Sequence, residues 1–219
     1  MRAPRRAPFV WTIAVASVAA TAASAGAQQV SYASRLDAST AARVSVVTAT
    51  AEAESLPARP LMLKALEGAS RGAEPAQIVD AVEALAGRLR IARGALGARS
   101  SESELVSGAA ALSVGVSPAT LRALRNARGH GDVTVPLVVL ADLLERRVPR
   151  AAAERAVRRL AGSRADDSLL LSLGQRVQME IVGGSTPDAA LGRQVRHYLT
   201  TLPPPAPGPV PALTAPAAP

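Results

Sequence analysis

Proline lacks a backbone N–H and clashes inside a helix, yet in the first turn the missing donor is one the helix leaves unpaired anyway. This chain places proline in that way repeatedly: Ser55-Leu56-Pro57, Glu74-Pro75, Ser117-Pro118, Thr134-Val135-Pro136, Val148-Pro149 and Thr186-Pro187. A preceding serine or threonine can accept one of the orphan donors. "SESEL" adds Ser101 with Glu104 three residues on, the pattern of a capping box. Apolar residues at helical spacing follow each signal, such as Ile78, Val79, Val82, Leu85 and Leu89, or Leu169, Leu170, Leu173, Val177 and Ile181. No stretch shows sustained strand-type alternation. The spacing predicts helices near 38–54, 58–69, 75–94, 102–114, 118–128, 136–147, 150–161, 167–182 and 187–201.

Sliding the chain by 61 residues aligns Pro57 with Pro118, Ala58 with Ala119, Leu63 with Leu124, Gly68 with Gly129 and Pro75 with Pro136. A short helix, a glycine stop and a proline start recur in that order, which reads as a degenerate helix-hairpin repeat over 55–88 and 116–149. The expected fold class is all-α: a compact helical bundle or a short irregular α-solenoid of helix hairpins.

The segment Gly68-Ala69-Ser70-Arg71-Gly72 matches G-x-S-x-G, the nucleophile elbow of one hydrolase class. An elbow needs a strand before the serine. Here Leu61, Met62, Ala65, Leu66 and Ala69 precede or surround it at helical spacing, so Gly68 or Gly72 is expected to end a helix. His130 and Asp132 lie on a glycine-flanked loop and could support acid–base chemistry, but no serine in the sequence presents itself as their nucleophile. Local turn chemistry by Asp132 is the expectation. His197, four residues after Arg193, is expected on a helix surface beside Tyr198. Asp166 or Asp167 should cap the helix that follows. "VGGSTP" lacks a P-loop lysine. No catalytic, cofactor-binding or metal-ligating residue is predicted.

Arginine dominates the basic residues, Lys64 being the single lysine, as GC-rich codon usage would produce. The densest run holds Arg146, Arg147, Arg150, Arg155, Arg158 and Arg159. Arg150 with Glu154, and Glu154 with Arg158, are spaced for helical ion pairs. The face reads first as a solvated helix surface; the alternative is a contact for an acidic partner, whether a protein patch, an anionic lipid surface or an acidic polymer.

The N-terminus sets Arg2, Arg5 and Arg6 before an uncharged run from Phe9, closing on Ala25-Gly26-Ala27. That is the layout of a secretory signal peptide cut after Ala27, leaving a helical domain over 28–202 in the periplasm or outside the cell. The alternative is a membrane anchor formed by uncut residues 9–27. Removing 1–27 takes away three arginines and no acid, leaving 22 bases against 17 acids, a net charge of +5. Only Tyr32 and Tyr198 remain as aromatics, too few for the stacking platforms of single-stranded nucleic acids. With no cysteine, an exported chain must hold itself together by burial alone. Residues 203–219 contain eight of the 17 prolines and no charged side chain, which predicts an extended, disordered tail serving as a spacer.

Together these features point to an exported helical interaction module that binds an envelope protein, without enzymatic function. The alternatives are an extracytoplasmic hydrolase using His130 and Asp132, or a protein anchored by its N-terminus. Intact mass of the chain recovered from the cell envelope should place its first residue at Gln28; a mass retaining residues 1–27 would establish the anchored form.

Overall fold

The structure, a computed structural model, describes residues 35–163 and 166–201, so the N-terminal segment expected to be an export signal, Tyr32 and the proline-rich C-terminal residues lie outside it. The described residues form helices α1 (Ala38–Ala53), α2 (Arg59–Ser70), α3 (Pro75–Leu96), α4 (Glu102–Ser113), α5 (Pro118–Arg128), α6 (Thr134–Glu145), α7 (Arg150–Gly162), α8 (Asp167–Val182) and α9 (Pro187–Thr201), with no strand among them. The fold is all-α, as the punctuation predicts.

Most start signals act where the sequence puts them, although Pro57 precedes the cap of α2, whose first-turn proline is Pro60, and Pro149 stands just outside α7. Pro75, Pro118 and Pro187 are the first residues of α3, α5 and α9. The Ser101 side chain accepts from Glu104 N while Glu104 reaches back to Ser101 N, completing the capping box of α4. The carboxylates of Asp37 and Asp166 accept the N–H groups of Thr40 and Leu169 at 2.9 and 3.0 Å. Hydrogen bonds from hydroxyl and amide groups favour the ionised form. Both carboxyls therefore sit below their ordinary range, Asp37 chiefly through Thr40 and Asp166 chiefly through Ser168. Helix α6 differs from its expected start at Pro136: it begins at Thr134, where Asp132 accepts the Thr134 N–H. Pro136 is then the third helical residue, still among those whose N–H would be unpaired.

Five of the stops share one geometry. In α2, Ala73 N donates to Gly68 O and Gly72 N to Ala69 O, with Gly72 at φ +68. This is the paired hydrogen-bond closure of a left-handed helix end. Ser70, the last residue of α2, donates its hydroxyl to Glu67 O, so the G-x-S-x-G match is a helix terminus. The same two-bond closure ends α1, α4, α6 and α8, with Ser55, Gly115, Arg147 and Gly184 at positive φ. After three of these, Leu56, Val116 and Val148 turn straight into the core. The chain thus stops, buries one residue and restarts on a proline.

These joints set up helix hairpins that stack. Helix α4 packs on α3 and α6, α6 also on α8, α5 on α7, and α7 on α9. The principal packing partners of every helix lie within two elements of it in the chain, the arrangement of a short solenoid. Hairpins α4–α5 and α6–α7 correspond at an offset of 32: Leu105 with Leu137, Ala111 with Leu143, Val116 with Val148 and Leu121 with Ala153 are all buried, and Gly115 falls on Arg147. Leu170 and Leu173 of α8 continue the series 33 residues after Leu137 and Leu140.

The 61-residue offset of the sequence is shifted by one. It pairs Leu63, 54% exposed, with the fully buried Leu124. At an offset of 60, Thr48, Ala51, Leu56 and Leu61 fall on Gly108, Ala111, Val116 and Leu121, all buried, and Ser55 falls on Gly115. Proline misleads the alignment because it follows the buried residue directly in Leu56-Pro57 but one residue later in Val116-Ser117-Pro118. A slip of one residue turns a helix by about 100° and exchanges buried for exposed positions.

The core is leucine, valine and alanine, with Tyr198 the one buried aromatic among the described residues. Small residues let helices approach: a Cβ on Gly108 would meet Ala92 Cβ at 3.0 Å and Leu96 Cδ1 at 3.2 Å. Arg147, at φ +62, occupies backbone space that glycine adopts without penalty. Replacing it should test the joint directly. Arg147→Gly is expected to raise stability by up to about 1 kcal/mol, the relieved backbone strain being partly offset by unfolded-state entropy. Gly115→Ala should lower stability, since φ is +88 and the added methyl lies 2.8 Å from Arg150 Nη2. Urea unfolding midpoints of the two variants measure both signs.

Candidate functional site

Two places gather polar side chains, and they differ in how far those groups are already used. The first surrounds Glu104, buried to 5% exposure near the start of α4. Its carboxylate accepts from Ser101 N at 2.9 Å, Val133 N at 3.1 Å and the Arg125 guanidinium, while Arg125 Nη1 donates to Gly131 O at 2.8 Å. One carboxylate therefore joins the start of α4, the end of α5 and the residue before α6.

A surface hollow of about 640 Å³ opens beside this network, lined by Ser100, Ser101, Arg125, His130 and Asp132 among others. The hollow brings two serines near the His130–Asp132 loop, but both serines and Asp132 make local hydrogen bonds of their own. Ser100 Oγ donates to Gly97 O at 2.8 Å, Ser101 Oγ accepts from Glu104 N, and Asp132 Oδ1 accepts from Thr134 N at 2.6 Å. Asp132 is thus the local turn former expected of it. His197 lies exposed on α9, its ring 5.5 Å from that of Tyr198.

The second place is a groove of about 920 Å³ between α7 and α9. Helix α7 buries Ala153, Ala156, Val157 and Leu160, as its spacing predicts, and so turns Arg155, Arg158 and Arg159 outward. Helix α9 buries Ala190, Leu191 and Tyr198, leaving Arg193 and Arg196 on its outer side. The five arginines border the groove, with Asp188 at its α9 end and Ala152, Ala156, Leu191, Val195 and Leu199 supplying apolar walls.

Within this set one arginine is spent on structure. Arg193 donates to Glu180 and to Ser185 Oγ, fastening α9 to the end of α8. The Gln194 amide, followed by Arg193, holds the Glu180 carboxyl below its ordinary range. Arg155, Arg158, Arg159 and Arg196 are exposed, and none of them enters an ion pair within the described residues. No protein family, curated protein or solved structure matches the chain. Its chemistry must be read from the site itself.

The six arginines of the sequence run divide accordingly. Arg146 is held bidentately by Asp142 at 2.7 and 2.8 Å, hydrogen bonding that raises its pKa above the ordinary guanidinium value. Arg147 forms the left-handed joint, and Arg150 donates to Gly115 O across from the preceding hairpin. Neither the expected Arg150–Glu154 nor the Glu154–Arg158 pair is formed: the carbonyl of the α4–α5 joint captures Arg150, and Arg158 borders both the groove and a smaller hollow beside Glu154 without an ion pair. Only Arg155, Arg158 and Arg159 line the groove, and Arg193 and Arg196 join them from 34 or more residues away.

Sequence reasoning missed Arg196 and the place of Arg193. A local signal existed for Arg196: like Arg155 and Arg159, it has no acid three or four positions away to pair with on its own helix. Arg146, by contrast, has Asp142 four residues before it. Sequence reasoning also read Glu104 only as half of a cap.

Glu104 is the group whose loss should damage the fold most. Glu104→Ala would strand the Arg125 guanidinium and the Val133 N–H, and should cost about 3 kcal/mol, as for a broken buried ion pair. Glu145→Ala, at an exposed position without an ion pair in the structure, should stay within about 0.5 kcal/mol of wild type. Chemical denaturation of the two variants in parallel checks the contrast.

Proposed function

We propose that this chain is a non-enzymatic, extracytoplasmic interaction module that binds another envelope protein by an acidic segment seated in the α7–α9 groove. The observation that carries this reading is the set Arg155, Arg158, Arg159 and Arg196, four exposed cations without ion-pair partners among the described residues, around an apolar-walled groove. An exposed arginine kept in water costs little, so the four are compatible with the folded state while contributing nothing to it through pairing. Facing a carboxylate-bearing partner they gain charge-assisted, often bidentate hydrogen bonds, and the aliphatic walls offer area to its apolar side chains. The occupant is therefore an acidic segment with aliphatic residues interleaved.

Supporting context comes from the ends of the chain. The N-terminal segment has the layout of an export signal, and among the described residues no helix is long and apolar enough to cross a membrane. Export would place the groove among envelope proteins. Anionic lipid and acidic polymers share the charge of the proposed partner but offer no ordered alternation of carboxylates and aliphatic groups.

The experiment is affinity capture from a detergent-solubilised envelope fraction with the full chain as bait. Wild type should retain a stoichiometric acidic protein that salt releases, since exposed charge pairs are screened within about 8 Å at physiological ionic strength. Combining Arg155→Glu, Arg158→Glu, Arg159→Glu and Arg196→Glu should weaken retention at least roughly tenfold without altering the helical spectrum. Retention unchanged by the four reversals, or binding to anionic vesicles instead of protein, would overturn the assignment.

A further inference from the structure

The hairpin register places one exposed aliphatic side chain at the same position of three successive first-layer helices. Val106 of α4, Val138 of α6 and Leu171 of α8 are 37, 46 and 45% exposed, and they follow one another at the repeat spacing of 32 and 33 residues. Each comes directly after a buried counterpart, Leu105, Leu137 or Leu170. Because α4 packs on α6 and α6 on α8, equivalent positions form a row. Adjacent helix axes lie roughly 8–10 Å apart, which sets the spacing of its members. Beyond Val106 the row runs into a hollow of about 560 Å³, shared with Pro60 and Leu63 of α2 and edged by Arg59 and Glu102, where Leu63 is 54% exposed. Charge does not explain the row, and burial within the domain does not use it.

The chain itself carries a segment of matching period. In residues 203–219 the two large aliphatic side chains are Val210 and Leu213, three apart, and Pro204, Pro207, Pro216 and Pro219 fall on the same three-residue series. A polyproline II helix has three residues per turn and rises about 3.1 Å per residue, so such a series makes one apolar edge with a repeat of about 9.3 Å. That repeat equals the spacing between neighbouring helices. The point of departure also fits. Tyr198 of α9 hydrogen-bonds Ser172 at 2.7 Å, and Ser172 is the residue next to Leu171. The chain therefore leaves α9 beside the near end of the row, and 18 residues at about 3.1 Å each are ample to cross it.

We infer that the proline-rich C-terminus is a strap of the same molecule, lying along Leu171, Val138, Val106 and Leu63 as a polyproline II helix with Val210 and Leu213 on the central contacts. Its low conformational entropy and its three-residue apolar edge suit a shallow row of aliphatic side chains, with the charged Arg59 and Glu102 only at its far end. The occupant differs from that of the α7–α9 groove, whose arginines would find no acidic side chain in this segment. An exported protein gains from such a strap, since contiguous exposed aliphatic surface otherwise invites association with other chains.

The test exploits the absence of cysteine, so that introduced thiols are the only ones in the full chain. Thr214→Cys is combined with Ser103→Cys, beside Val106 on α4, or with Arg122→Cys, on the exposed side of α5 in the other layer, and each pair is treated with a short bismaleimide. Cross-linking within one molecule should be several-fold faster at 103 than at 122. Adding Val210→Ser and Leu213→Ser, which lie outside the helical domain, should bring the rate at 103 down to that at 122 with the helical spectrum unchanged. Equal rates at 103 and 122 in the parent pairs would overturn the strap, as would rates indifferent to the two serines. Cross-links found only between two molecules would overturn the assignment to the same chain.

Discussion

The whole array depends on a backbone turn: a helix closes on itself through two hydrogen bonds, one residue takes a left-handed conformation, and the next drops into the core. At the ends of α1, α4 and α6 this turn fixes how the following helix leaves, and Leu56, Val116 and Val148 act as the pins. The reason such a device is needed lies in the composition. With neither disulfides nor a wealth of aromatic residues, helix pairs are held by Leu, Val and Ala contacts that are individually small. Contacts of that kind stabilise only when the angle and register between helices are already right, and the joints supply both.

Across hairpins, arginine takes over the task. Arg93 donates to Ser55 O at 2.7 Å and Arg150 to Gly115 O, so carbonyls of two left-handed residues are capped from a later element. Arg128 reaches Asp167, binding α5 to the start of α8, and Arg193 binds α9 to Glu180. Glu104 does the converse, one acid collecting donors from three segments. Arginine abundance by itself thus says little about ligands. What distinguishes the α7–α9 groove is that four cations without an ion pair among the described residues gather around one apolar-walled hollow.

Helix positions were legible because their causes are local. Proline, serine and aspartate starts, glycine stops and the apolar stripes of α3 and α8 act within a few residues of themselves, and expected and observed boundaries differ by two residues or fewer. The late expected start of α6 arose from giving Pro136 the role that Asp132 performs. Hairpin register was less legible, since the spacing between a buried residue and the next proline varies by one. The site was legible in part: Arg155, Arg158 and Arg159 stood out, while the contribution of Arg196 depends on α7 meeting α9. Equally, nothing within α7 reveals that Gly115 O would draw Arg150 away from Glu154.

The near-constant spacing of the later hairpins has a consequence for how such a chain can change length. Since each hairpin meets mainly the one before and the one after, duplicating or removing a complete unit of about 32 residues would preserve every buried pairing on either side. A single-residue insertion inside a helix would rotate all that follows and expose leucine. Relatives of this fold should therefore vary by whole hairpins, with small insertions confined to the connections between them.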